Sequence, residues 1–451
     1  MDDAEMRRYE AAARYGNGKA AFVVLPRTTE AVAEVISICR KHAVALIPQG
    51  ANTGLVGAAV PDSSGRQGIL SLEKFAGELA VDVANRSVRV SAGVRLSVLN
   101  DELAKHGLFY PIDLGADPSI GGMVATNTGG SRFIRYGDVR KSVLGLEVVL
   151  ADDAGTRLDL GSGLRKNNVG LDLKQLFIGT GGAYGVITRV DLEVQPLPRQ
   201  SATALIAPQN RKAVVPLLLA SEAAFGGDLT SFEGMSGEAI SCVLRHIPGT
   251  RNPFFPEAVP EYAALIELTR ASDEADSQPR LSEHLSTFLE QQLEAGTITN
   301  AVMDHPASLW KIRHSISEAL RDEGHVIGLD ISTKRPDLEP FHAEARALLL
   351  REYPWLLICD FGHCGDGGDH FNLVWPHRDV PAYDANVAAT VRERIYRLLA
   401  DGYGGSFSAE HGTGPANLGY RKSLLDPASL DIEARIGGLL TNGQLLGRAL
   451  V

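Results

Sequence analysis

The chain has 451 residues, of which 44% are hydrophobic and 22% charged, with a formal net charge of -11 and 47 glycines. At about 150 residues per domain this length predicts two or three domains, and the negative balance, with no run of Lys or Arg to offset it, excludes general attraction to nucleic-acid backbones or anionic lipid. Cys39, Cys242, Cys359 and Cys364 have no paired CxxC spacing, so neither a disulfide framework nor an iron-sulfur ligand set is expected and a reducing cytoplasm fits.

The N-terminus is charged and lacks the apolar core of a signal peptide, and no apolar run reaches the roughly 18 residues of a membrane-spanning helix. Location is therefore expected to be cytoplasmic, at most peripheral to a membrane. Residues 21–25 read as an apolar strand, 31–42 as a helix capped by Thr28 or Thr29, and 44–47 as a second strand, together a βαβ unit. It runs into the loop 48–57, Pro-Gln-Gly-Ala-Asn-Thr-Gly-Leu-Val-Gly, whose glycines would let successive N–H groups turn inward around a pyrophosphate. Neither a Walker sequence nor GxGxxG is present, and on spacing alone a tight turn explains this loop as well as a binding site does.

A second glycine cluster occupies 113–130, with small and hydroxyl residues that would admit a flat ring against backbone. A third, 172–187, contains Gly179, Gly181 and Gly185 and leads into a strand through Val190, Leu192 and Val194. From 202 to 358 strand-like runs at 202–206, 240–244 and 263–268 alternate with helical ones, and the proline-rich stretch 249–260 reads as a surface loop. Trp310, Arg313 and Ser317 share one face of a helix running through Leu320. A guanidinium there could hold a carboxylate as a fork, although an ordinary surface arginine has the same spacing.

Residues 362–372 read Gly-His-Cys-Gly-Asp-Gly-Gly-Asp-His-Phe-Asn, and 408–412 read Ser-Ala-Glu-His-Gly. His363 and His370 would face opposite ways on a straight strand, but the glycines between them allow the backbone to fold back and converge the imidazoles. With Glu410 they make a His-His-Glu set, three protein ligands and an open position, the catalytic arrangement for Zn2+. His411 is left as a base. Taken singly, each histidine reads more readily as an ordinary loop residue than as a ligand.

The three glycine clusters, in this order, resemble the FAD-binding domain of the flavoproteins related to vanillyl-alcohol oxidase and p-cresol methylhydroxylase. The histidine segment and Ser-Ala-Glu-His-Gly are similar to the branch that contains D-2-hydroxyglutarate dehydrogenase, D-lactate dehydrogenase and the glycolate oxidase flavin subunit. The resemblance spans nearly the whole chain. It implies an α+β fold: a two-subdomain FAD-binding domain at 1–199, an α+β substrate (cap) domain at 200–380, and a mostly helical segment at 381–451 that packs back toward the flavin. It implies FAD contacts at Pro48, Gly50, Ala51, Asn52, Thr53, Gly54 and Leu55, at Pro118, Ser119, Gly121, Gly122 and Thr126, and at Gly182, Gly185, Val186 and Ile187. Asn52 stands where covalently flavinylated relatives carry a nucleophile, so non-covalent FAD is expected. Arg313 and Ser317 are expected to hold the substrate carboxylate, with Asn372 as a further contact. The implied reaction is oxidation of a D-2-hydroxy acid to the 2-oxo acid, with Zn2+ on His363, His370 and Glu410, the hydroxyl proton passing to His411 and the C2 hydride to flavin N5.

The chain departs from the resembling sequences at Gly328, where dicarboxylate-oxidising members have lysine and for which Lys334 is the nearby alternative. It departs again at Asn417, at Thr180-Gly181-Gly182-Ala183 and at Leu446-Gly447, which puts D-2-hydroxyglutarate itself in doubt as the substrate. Two other readings share the flavin domain: a non-redox transferase of the alkylglycerone-phosphate synthase type, and a flavin subunit active only in a complex. The electron acceptor (an electron-transfer flavoprotein, a quinone or oxygen) and a homodimeric state carry no motif.

Overall fold

The computed structural model describes residues 3–161, 163–272, 280–378 and 380–450. The chain forms two compact units, the first made of residues 1–129, 137–197 and 410–451, the second of residues 130–136 and 198–409. The boundaries expected from sequence lie at 199/200 and 380/381; the chain passes between units at 129/130, 136/137, 197/198 and 409/410.

In the first unit a parallel sheet has the order Ala20–Val24, Gln67–Ser71, Leu46–Gln49. The helix Thr29–Lys41 connects its outer strands. Thr28 caps that helix by accepting a hydrogen bond from the Ala31 N–H at 3.2 Å, and Val32, Ile36 and Cys39 form its buried stripe. A second sheet, antiparallel among its described strands, runs Leu79–Asp82, Ser87–Ser91, Gly185–Glu193, Val143–Leu150, Arg157–Leu160. Val90, Leu146, Val148, Val190 and Leu192 fill the core above it, each contributing about 1.5–3 kcal/mol by leaving water. The last residues of the chain close this unit: Leu446 N–H donates to the Ala183 carbonyl at 2.9 Å and Gly447 N–H to the Leu46 carbonyl at 2.8 Å.

The second unit is built on an antiparallel sheet of eight strands among the described residues. Its order is Ile298–Met303, Gln200–Pro208, Tyr262–Arg270, Leu229–Ser236, Leu357–Gly362, Gly368–Pro376 and Gly324–Ile327, with Asp330–Ser332 also paired to Gly368–Pro376. Alternate residues enter different cores. Ala204 and Ile206 pack with the helices Val214–Phe225 and Leu281–Glu294, while Leu205 and Ala207 pack with Gly237–His246 and Pro306–Glu323. Strands covered on both faces lose polar alternation and read as continuous apolar runs. That ambiguity accounts for one correction: residues 240–244, expected as a strand, belong to the helix Gly237–His246, which Ser236 caps by accepting from the Ala239 N–H. A five-residue apolar run does not separate strand from buried helix; the buried set Ala239, Ile240, Cys242 and Val243 is helically spaced.

Candidate functional site

Two constellations stand out, one in each unit. In the first, the loop after Leu46–Gln49 begins at Gly50, and a Cβ there would sit 2.2 Å from Ser119 Oγ. Ser119 in turn caps the helix Ile120–Thr126, its hydroxyl accepting from the Gly122 N–H at 3.3 Å. The third glycine cluster comes to the same place. Gly182 has φ +79 and would put a Cβ 3.4 Å from Pro48, while Gly181 N–H donates to the Ala125 carbonyl at 2.7 Å. All three glycine clusters therefore meet, with Gly50 against the Ser119 side chain and Gly182 against the Pro48 ring. Two residues without an expected role brace the arrangement. Asn127, left-handed at φ 51, donates to Asp138 at 2.7 Å and accepts from the Arg140 N–H at 2.9 Å, and the Arg140 guanidinium donates to the Ile178 carbonyl at 2.8 Å. Asn52 is also left-handed, at φ 55, and its amide donates to the Ala11 carbonyl at 2.8 Å.

In the second unit, Leu357–Gly362 and Gly368–Pro376 form a hairpin whose turn is made by 363–367. Gly367 has φ +91 and lies so close to the Thr333 carbonyl that a Cβ would come within 2.3 Å, which is why the turn needs glycine there. The turn brings the imidazoles of His363 and His370 to a centroid separation of 5.3 Å. Asp330 lies opposite His370 in register, 3.7 Å from its Nδ1, and Ser408 Oγ donates to Asp330 at 3.4 Å. Ser406 and Ser332 exchange backbone hydrogen bonds at 2.9 and 3.1 Å, fixing the chain just ahead of Glu410. Glu410 and His411 open the segment that belongs to the first unit, two and three residues beyond Ser408.

Glu233 belongs to no motif in the sequence. It lies mid-strand in Leu229–Ser236 with no solvent exposure; one carboxylate oxygen is 2.7 Å from His363 Nδ1 and the other accepts from Arg313 Nε at 2.7 Å. Burial alone would push its pKa up, but the charges and hydrogen bonds of His363 and Arg313 hold it down at about 2. Arg313 is also buried, its guanidinium 4.7 Å from the centroid of the Phe361 ring. One turn away Trp310 donates its indole N–H to Glu267 at 3.2 Å, and Arg132 pairs with the same carboxylate at 3.4 Å. Ser317, two turns on from Trp310, is exposed, whereas Asn372 is buried and donates to the His370 carbonyl at 3.2 Å. Gly328 is buried and Lys334 exposed.

Residues 20–161 match the family described as FAD binding domain, and residues 197–440 match FAD linked oxidases, C-terminal domain. The second match alone spans more than half of the chain. This chain belongs to the FAD-linked oxidases. The oxidase is 34% identical over 432 residues to the mitochondrial D-2-hydroxyglutarate dehydrogenase of Arabidopsis thaliana, a match covering 94% of this chain and 73% of that relative. Its fold is similar to that of p-cresol methylhydroxylase with substrate bound (TM-score 0.70, 16% identity, 99% of this chain and 92% of that one). It is also similar to alkyldihydroxyacetonephosphate synthase (TM-score 0.69, 16% identity, 93% and 75%). The mixed α/β architecture with an FAD-binding domain is thus the fold shared with p-cresol methylhydroxylase and alkyldihydroxyacetonephosphate synthase.

The residues present fit the cofactor of an FAD-linked oxidase. Gly50, where a Cβ would strike Ser119 Oγ, and Gly182, at φ +79, mark close approaches that need glycine, as a loop wrapped around a pyrophosphate and a flat ring requires. The second unit also offers metal donors in His363 and His370: with Nδ1 of His363 against Glu233, Nε2 is the nitrogen a metal would take, and imidazoles suit zinc better than magnesium. Among the described residues no helix is long and apolar enough to cross a membrane.

Proposed function

We propose that this FAD-linked oxidase converts a D-2-hydroxy acid to its 2-oxo acid with the help of a bound divalent metal, zinc by preference. The observation that carries the reading is Glu233, which ties His363 to Arg313 at 2.7 Å on either side. An imidazole suited to a metal and a guanidinium suited to a carboxylate share one anchor, as recognition of a 2-hydroxy acid demands. The Arabidopsis relative's name, D-2-hydroxyglutarate dehydrogenase, points to the same substrate class.

In this reading Pro48, Gly50, Ala51, Asn52, Thr53, Gly54 and Leu55 take the pyrophosphate half of a non-covalent FAD, and Pro118, Ser119, Gly121, Gly122, Thr126, Gly182, Gly185, Val186 and Ile187 take its ring half. Bound FAD supplies the acceptor for the hydride from C2. His363, His370 and Glu410 would hold the metal, which would supply Lewis-acid stabilisation of negative charge on the substrate oxygen; Glu410 follows Ser408, itself bonded to Asp330 beside His370. Arg313 clamps the substrate carboxylate and, with Ser317 and Asn372, fixes which face of C2 is presented. A ring nitrogen of His411 accepts the hydroxyl proton. Gly328 supplies no lysine for a second carboxylate, so the acid's identity is decided by test.

Purified holoenzyme would be mixed anaerobically with a panel of D- and L-2-hydroxy acids, with and without prior EDTA. Bleaching of the flavin band by a D-acid, abolished by chelation and restored by Zn2+, is the expected result. A flavin that no hydroxy acid bleaches would overturn the reading.

A further inference from the structure

We infer that Glu233 is a positioning residue that couples metal retention to recognition of the substrate carboxylate, an inference that rests on the function proposed above. Three separate elements deliver the parts. The strand Leu229–Ser236 carries Glu233 and pairs with Leu357–Gly362 through Gly234 to Gly362 and Met235 to Phe361, which sets His363, just beyond that strand, beside Glu233. The helix Pro306–Glu323 lays Arg313 over the same strand from the core face that holds Met235, Phe361 and Trp310.

A buried carboxylate with a single cation would be an ordinary ion pair. Here its two oxygens are divided. Oε1 engages His363 Nδ1, and Oε2 accepts from Arg313 Nε, both at 2.7 Å. The first contact fixes the imidazole rotation and directs Nε2 away from the strand. The second consumes Nε and, with the Phe361 ring 4.7 Å from Cζ, fixes the guanidinium plane so that its terminal nitrogens form the fork. Neither ring nor fork can be reoriented without disturbing the carboxylate they share. Glu233 has no accessible surface, so water cannot replace a lost partner, and the coupling is carried by burial as much as by charge.

The test is Glu233→Gln, which keeps the shape but removes the charge and leaves one acceptor oxygen, so it can no longer engage both partners as acceptor. Zinc affinity of the FAD-loaded protein would be read by competition with a chromophoric chelator, and KM and kcat for whichever of D-lactate and D-2-hydroxyglutarate the wild type oxidises. The expected result is a loss of zinc affinity of roughly 10- to 100-fold together with a rise in KM of about tenfold or more, in protein that retains FAD. Should E233Q not fold, Glu233→Asp, which keeps the charge but withdraws it by one methylene, is expected to weaken both readouts in the same direction. A variant that melts earlier yet keeps wild-type zinc affinity and KM would overturn the inference and leave Glu233 merely structural. H363A and R313K serve as references: if the wild type itself binds no zinc, or these two change neither readout, it is the proposed function that fails, whereas normal references beside an indifferent E233Q sink the coupling alone.

Discussion

His411 and Arg313 carry opposite predictions, because one moves a proton and the other holds a charge. Removing the imidazole in His411→Ala takes away a general base while leaving the glycine cradle intact, so turnover should fall by about a hundredfold or more with FAD retained in the purified protein. Normal turnover would remove His411 from the mechanism. Arg313→Lys keeps the positive charge beside Glu233 but loses the planar fork and its stacking on Phe361. The expected signature is a KM about tenfold or more higher with a smaller change in kcat, since the lost contact binds ground state and transition state alike. A fall in kcat with unchanged KM would instead give Arg313 a role in the chemical step. Glu233 shows why the residue scale was only partly legible. Histidines, glycines and an arginine at helical spacing announce themselves, but a glutamate within an eight-residue strand buried throughout looks like any charged break in an apolar run, and only the register of Leu229–Ser236 against Leu357–Gly362 identifies its partners.

At the scale of elements, the hairpin that converges His363 and His370 depends on one residue more than on either histidine. Gly367 at φ +91 packs its α-carbon against the Thr333 carbonyl, where a Cβ would come within 2.3 Å. Gly367→Ala therefore meets both a disfavoured backbone conformation and a backbone atom that cannot move aside, a cost of about 2–4 kcal/mol. Zinc content after purification should drop with the melting temperature, and full zinc occupancy would show that the hairpin does not set the ligands. This element was readable because glycines between two histidines have few other uses. The βαβ unit at Ala20–Gln49 was readable for a different reason: Thr28 and the Val32, Ile36, Cys39 stripe give a start and a face. The run 240–244 offered neither, since Ser236 lies outside it and both faces of the adjoining sheet are buried, so its period could not be judged.

The division of the whole molecule is less visible still, because the first unit is assembled from three stretches of chain and the second takes seven residues, 130–136, from between two of them. Nothing in composition marks that excursion; it is anchored by Arg132 reaching Glu267, Arg135 donating to the Thr269 carbonyl at 2.6 Å and Ile134 packing on the core of the second unit. A property of the second unit follows from a charge network that the mechanism does not use. Arg211 donates to both oxygens of Asp360 at 2.8 and 3.0 Å, and His342 lies between Asp360 and Asp369, at 3.6 and 3.1 Å. Burial opposes the charge on Asp360, yet Arg211, His342 and Arg346 outweigh it and hold the carboxyl down at about 2. Against an unfolded value near 3.8 this supplies about 2 kcal/mol, present in full above pH 4 or so and lost as pH falls toward 2. His342 has the reverse sign. Burial would lower its pKa, but the Asp369 hydrogen bond and the two carboxylate charges raise it, so its contribution is complete below about pH 6.5 and declines as pH rises through the folded value. Asp369 is pushed up by burial, so its own contribution favours the folded state on acidification and offsets part of the Asp360 loss. Thermal melting from pH 2 to 9 should therefore be most favourable between about pH 4 and 6.5. Asp360→Asn should flatten the acid limb and His342→Gln the alkaline one, each lowering the melting temperature at pH 5, where both charges are in place. Arg211→Met, which strands a buried carboxylate, should cost about 3–5 kcal/mol at pH 7 and recover part of that loss on acidification as Asp360 takes up a proton. An R211M protein that melts with the wild-type pH profile would show that this network contributes nothing to the stability of the unit.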